Sequence, residues 1–198
     1  MTTATVHAAS VHFDADRRIA RWRPLVQWLL AIPHLVIANA LGTLRGFLTL
    51  ISFVTVLFTE RIPRPLFDAI AMTYRYEWRA VCYALALHED YPPFEFTPAA
   101  ADDGHERHTA LAIAYPERLN RWKPLYKWFL AIPHYVVLVI LAAASVVAVL
   151  WGVVAVIITG QYPERPRTFL VGAYRYRLRV QTYAGLLTDE YPPFSLSS

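Results

Sequence analysis

The sequence predicts a mainly α membrane protein with two pseudo-repeat units, each an interfacial helix, a transmembrane helix and an amphipathic helix. Three observations carry this. The chain of 198 residues repeats itself at an offset of 100. Each half holds one long apolar block. Each block is preceded by a basic segment rich in Trp. The apolar share is 56%, above the roughly 45–50% of a soluble domain. The excess is concentrated in the two blocks, which lifts the mean hydropathy to +0.31.

The duplication is read directly. Arg21-Trp22-Arg23-Pro24-Leu25-Val26-Gln27-Trp28-Leu29-Leu30-Ala31-Ile32-Pro33-His34 returns as Arg121-Trp122-Lys123-Pro124-Leu125-Tyr126-Lys127-Trp128-Phe129-Leu130-Ala131-Ile132-Pro133-His134, identical at 10 of 14 positions. Tyr74-Arg75-Tyr76, Arg79 and Tyr91-Pro92-Pro93-Phe94 recur as Tyr174-Arg175-Tyr176, Arg179 and Tyr191-Pro192-Pro193-Phe194. The units are therefore set at 1–96 and 110–198, joined by an Ala-, Asp- and His-rich linker at 97–109.

Each unit opens with a short alternating stretch that suits a strand (Val11, Phe13; Leu111, Ile113). Trp22, Trp28, Trp122 and Trp128 then stand beside Arg21, Arg23, Lys123 and Lys127, a composition that suits the headgroup region of a bilayer. Pro33 and Pro133 allow a bend between this surface helix and a spanning one. Residues 34–58 number 25, about 37 Å of helix, enough to cross a hydrocarbon core of about 30 Å. Residues 135–159 contain no charge. The first block contains Arg45, which costs a few kcal/mol at about mid-membrane unless it pairs or snorkels, and neither block supplies an acid.

Residues 66–88 and 167–188 predict amphipathic helices. Phe67, Ile70, Tyr74, Trp78, Val81 and Leu85 form one stripe, and Arg75 and Arg79 lie on another face. The pattern predicts a helix in the membrane interface or packed beneath the spanning part, with Arg75, Arg79, Arg175 and Arg179 either toward lipid phosphates or on a polar face that snorkels or pairs with Glu77. Consecutive prolines close each unit.

Outside the first block's Arg45, nine Lys/Arg lie on each side of a one-crossing-per-unit topology, so charge sets no orientation. An inverted-topology pair fits that tie, and so does a pair of re-entrant hairpins. One crossing per unit, in a multi-pass protein of the cell membrane, is the expectation.

The net charge of +4 sits among Trp and Tyr without a nucleic-acid motif, which points to anionic lipid rather than nucleic acid. Cys82 is the only cysteine, so no internal disulfide forms. The first 20 residues lack the apolar core of a cleavable signal. No phosphate loop, nucleophile elbow or metalloprotease motif is present, so the chain is not expected to be an enzyme.

The Arg-Trp-x-Pro-Leu…Ala-Ile-Pro-His segment, Tyr115-Pro116-Glu117-Arg118-Leu119, Thr159-Gly160 and the closing Tyr-Pro-Pro-Phe resemble a bacterial membrane family catalogued as domain of unknown function 4389, in two tandem copies. The first copy departs from the pattern: Thr59-Glu60 replaces Thr-Gly, and Asp14-Ala15-Asp16-Arg17 stands for Tyr-Pro-Glu-Arg. The resemblance implies a membrane location and carries no mechanism.

His34 and His134 are the sharpest chemical candidates. Histidines from two membrane helices are ligands that haem iron takes. Against this stands an interfacial His that closes a Pro bend, and an inverted pair would place the two at opposite faces. His105 and His108, with Asp102 and Asp103, have the spacing of one helical turn, but a metal needs more ligands and support. No cofactor is expected beyond that haem alternative. The functional expectation is a lipid-contacting scaffold or accessory subunit, with a protein partner or a second copy. A redox or transport component is the alternative.

Overall fold

The computed structural model describes residues 9–102 and 108–196. The elements are β1 (Ala9–Phe13), α1 (Arg23–Thr59), α2 (Arg64–Ala84), β2 (Thr109–Ile113), α3 (Lys123–Leu130), α4 (Ile132–Thr159) and α5 (Glu164–Ala184). The protein is mainly helical, and α1 and α4 are both long and apolar enough to cross a membrane.

Pro33 does not divide the first copy into a surface helix and a separate spanning one. α1 runs unbroken for 37 residues, about 55 Å, with Pro33 inside it. Proline removes one backbone donor, but the helix on either side keeps its own bonds. In the second copy only Ala131 separates α3 from α4, and it stays in helical geometry. The amide of Ala131 still reaches Lys127 O at 2.9 Å, and that of Tyr135 reaches Ala131 O at 3.1 Å. Surface and apolar segments therefore form one rod in the first copy and nearly one in the second.

Each rod ends in a left-handed residue, Gly160 (φ 73°) and Glu60 (φ 57°). Glycine takes that conformation without strain; Glu60 does not. Its side chain explains the exchange. The carboxylate binds Arg118 at 2.8 Å and Arg121 at 2.6 Å, and its carbonyl accepts from Leu119 N at 2.9 Å.

α2 and α5 fold back along α1 and α4. They are core helices, not interfacial ones: residues 73–80 of α2 are all buried. One side of this pair carries the long helices and another carries a two-stranded antiparallel ribbon. In that ribbon Val11 lies opposite Leu111, its own equivalent in the repeat. Glu77 and Arg177 are likewise equivalent positions, and they pair. A pseudo-two-fold axis therefore passes through both points.

The copies exchange their leading segments. β2, from the second copy, packs on α2 of the first, and β1 packs on α5. Ile19 N donates to Gly160 O at 3.0 Å and Tyr162 N to Arg17 O at 2.8 Å. Tyr115 Oη donates to Ile62 O at 2.6 Å. The units of the sequence are thus not separate bodies in space. Of the 97–109 linker, residues 97–102 belong to the body: Ala101 bridges Ala112, and Ile113 N donates to Ala100 O at 2.9 Å.

The same contacts fix the long helices relative to one another. Glu60, at the end of α1, sits against Arg121 at the start of α3. Gly160, at the end of α4, sits beside Ile19 and Arg21 at the start of α1. The rods run antiparallel, and each end of each rod is tied to the polar body.

Candidate functional site

The outer faces of α1 and α4 form the largest chemical feature. Only 11% of the most apolar window of each helix is buried. Leu29, Val36, Phe47, Leu50 and Phe58 project from α1, and Val139, Ile140, Val147, Leu150 and Ile158 from α4. Trp22, Trp28, Trp122 and Trp128 are all exposed, from 57% to 64%. Trp28 and Trp128 hold their indole N–H on the carbonyls of Leu25 and Leu125 at 2.7 and 2.8 Å, which leaves the ring faces outward.

Arg45 does find an acid, from α2 rather than from its own block. Its guanidinium donates to Glu77 Oε2 at 2.8 Å and lies 4.0 Å above the Tyr74 ring. Glu77 gives its other oxygen to Arg177. One carboxylate therefore bridges two guanidiniums at the pseudo-two-fold axis, beneath the apolar face.

The four arginines expected at lipid phosphates are placed inward, which corrects that expectation. Arg75 and Arg79 are 3% and 2% exposed. Arg75 reaches Asp102 at 2.8 Å, and Arg79 reaches Glu95 at 2.9 Å and also Asp102. Asp102 further accepts from Leu111 N at 2.8 Å, so a single buried acid ties α2 to the sheet. In the second copy Ser195 replaces Glu95. There Arg175 donates to the carbonyls of Leu196 and Val11, and Arg179 to that of Ser195. Lys127 is also inside, against Thr188 O at 2.6 Å and Asp189 at 2.7 Å.

His34 and His134 are fully buried. His34 Nδ1 lies 2.8 Å from Tyr76 Oη, and its ring stacks on Phe94 at 4.4 Å. His134 repeats this with Tyr176 at 2.6 Å and Phe194 at 4.2 Å. Every ring around each histidine belongs to its own copy. The two histidines have separate sets of ring neighbours, so the structure does not bring them together on one iron. They act as keystones that hold the Tyr-Pro-Pro-Phe ending onto the rod.

His108 contacts Asp90 Oδ2 at 2.7 Å and Asp14 O at 2.8 Å. His105 and Asp103 lie outside the described residues. Among the described residues no cluster of three or more metal-ligand side chains occurs. His88, beside His108, is pushed down to about 4, chiefly by burial. Cys82 is a buried thiol on α2.

Sequence reasoning missed the tyrosine partners of the histidines, the pairing of Glu77 with Arg45, and the pairing of Asp102 with Arg75 and Arg79 in place of a metal turn. The repeat held one signal for Tyr76 and Tyr176, since both return at the same offset as the histidines. No local pattern marks those acid pairings, whose two sides come from different elements.

The family model described as domain of unknown function (DUF4389) matches residues 21–95 and again 121–195. These spans start at the Arg-Trp motif and end at the closing loop, leaving both strands outside. No curated protein and no solved structure matches the chain.

Proposed function

The chain belongs to the DUF4389 family, which it carries as two tandem copies, and we propose that it is a membrane-bound accessory or scaffold protein that lies along one leaflet. The observation that carries this is the apolar outer face shared by α1 and α4, framed by exposed Trp22, Trp28, Trp122 and Trp128. An apolar face of this size calls for a hydrocarbon or protein partner. The tryptophans at its margins favour lipid.

The geometry supports an in-plane arrangement over the one-crossing topology expected from length. A rod that crossed the bilayer would carry α2 and the β ribbon with it, because Gln27 near one end of α1 donates to Tyr83 O and His88 O, and Tyr115 donates to Ile62 O just past the other end. Exposed Asp14, Asp16, Arg17 and Arg18 would then stand beside hydrocarbon. With the rods lying flat, their outer faces meet acyl chains and the ribbon faces water, where a protein partner would dock.

Membrane attachment is tested by fractionation. The protein is expected to stay with membranes through alkaline carbonate and to leave only with detergent. Recovery in the carbonate supernatant would contradict the reading. The scaffold role is tested by gentle detergent extraction from native membranes, where a stable partner is expected to co-purify; a chain that emerges alone would overturn that part.

A further inference from the structure

The two copies differ at the place where Arg45 sits. Its equivalent on α4 is Ser145, and Thr73 and Glu77 of α2 become Ala173 and Arg177 of α5. In the first copy the Arg45 side chain reaches down beneath the rod onto Tyr74 and Glu77. In the second copy that space is a groove of about 450 Å³ between α4 and the α2/α5 layer. This lies within the range of about 300–1,000 Å³ usual for small-molecule sites. Its walls are mostly apolar, among them Leu141, Val149, Leu170, Val81 and Leu85, and among the described residues Arg177 is the one charge that lines it.

The charges around that groove do not balance. Arg45 and Arg177 share Glu77, whose two oxygens are both taken. Arg45 and Glu77 are largely enclosed, whereas the Arg177 side chain is 38% exposed. One positive charge is thus in excess, and it faces an apolar cavity on the side of the molecule read above as membrane-facing. A guanidinium that shares its one acid with another is only partly compensated, which is costly there. A carboxylate removes that cost, because it matches the guanidinium fork with two charge-assisted hydrogen bonds.

We propose that the groove of the second copy binds one long-chain fatty acid, its carboxylate on Arg177 and its chain along α4. The identification rests on the membrane reading only for the source of the ligand; the site itself needs no bilayer. The small head of a fatty acid suits a cation set back under the rod at the axis between the copies.

The test uses the full chain in a non-ionic detergent, with 11-(dansylamino)undecanoic acid as fluorescent probe and palmitate as competitor. The wild-type protein is expected to bind the probe saturably at one site per chain and to release it to palmitate but not to methyl palmitate. Ser145→Phe, which fills the groove, is expected to abolish binding. Arg177→Gln leaves the Arg45–Glu77 pair in place. It is expected to weaken binding by about tenfold or more and to erase the preference for acid over ester, as loss of a hydrogen bond to a charged group predicts. Thermal unfolding of each variant identifies one that fails to fold; Arg177→Gln then decides alone.

Non-saturable binding overturns the proposal, as does unchanged affinity in folded Arg177→Gln. Displacement by phosphatidylglycerol but not by palmitate also overturns it, and assigns the groove to a phospholipid instead. A chain that binds palmitate yet washes off membranes in carbonate leaves this site standing and removes the membrane reading. A chain that stays on membranes and ignores palmitate does the reverse.

Discussion

His34 Nδ1 stands 2.8 Å from Tyr76 Oη, and a hundred residues later His134 Nδ1 stands 2.6 Å from Tyr176 Oη. In both copies the pair is buried, and a phenylalanine from the closing loop stacks on the imidazole. The contact joins the start of each rod, the middle of each core helix and the end of each unit.

Tyr76→Phe and Tyr176→Phe each remove one of these hydrogen bonds and leave a buried ring nitrogen without it. Each is expected to cost about 1–3 kcal/mol. The two sites share no partner, so the double variant is expected to show roughly the sum. Thermal unfolding in detergent checks both; a double variant as stable as wild type would contradict the keystone role.

Glu77→Gln strands Arg45 and leaves Arg177 without its ion pair. Breaking a mostly buried pair from one side costs about 3–5 kcal/mol. Arg45→Met in the same background removes the stranded charge and is expected to recover part of the loss. A double variant no more stable than Glu77→Gln alone would show that Arg45 does not depend on Glu77.

Asp102→Asn weakens the acid that Arg75, Arg79 and the Leu111 amide share. The expected result is faster hydrogen exchange at Leu111 and along β2, with α1 and α4 unchanged. Equal exchange at Leu111 in both proteins would separate Asp102 from the anchoring of the ribbon.

His88 sets a pH dependence. Burial, helped by the charge of His108 and Arg23 and opposed by Asp90, pushes it down to about 4 from an ordinary value of 6.5. The unfolded chain therefore binds this proton first as pH falls. The stability is complete above about pH 6.5 and is lost toward pH 4, at up to about 1.4 kcal/mol per pH unit. His88→Gln is expected to flatten that part of the profile relative to wild type. An identical slope in both proteins would contradict the assignment.

Much of the architecture was legible in the residues. The duplication, the two long apolar helices and the core helices follow from periodicity and from the repeated Arg-Trp and Tyr-Pro-Pro-Phe segments. The strand exchange was not, because a five-residue alternation carries no information about which copy it pairs with. Pro33 does not end the helix: proline forfeits one hydrogen bond, and Ala31 and His34 on either side of it are buried against the body. Arg75 and Arg79 misled. They do share a helix face, but the acids that bury them come from elsewhere: Glu95 directly follows the closing Tyr-Pro-Pro-Phe, and Asp102 lies in a segment whose composition resembles a solvated linker. Arg45 was marked by its isolation within its own block, and its partner lay on the next helix.

The orientation of the rods is the central claim, and cysteine accessibility tests it most directly. In a Cys82→Ser background, Arg21→Cys and Arg61→Cys place single thiols just outside the two ends of α1. An impermeant maleimide is applied to intact cells and then to lysed ones. Rods lying along one leaflet predict that the two positions behave alike, both labelled in intact cells or both only after lysis. Labelling of one position in intact cells and of the other only after lysis would place the ends of α1 on opposite sides and contradict the account.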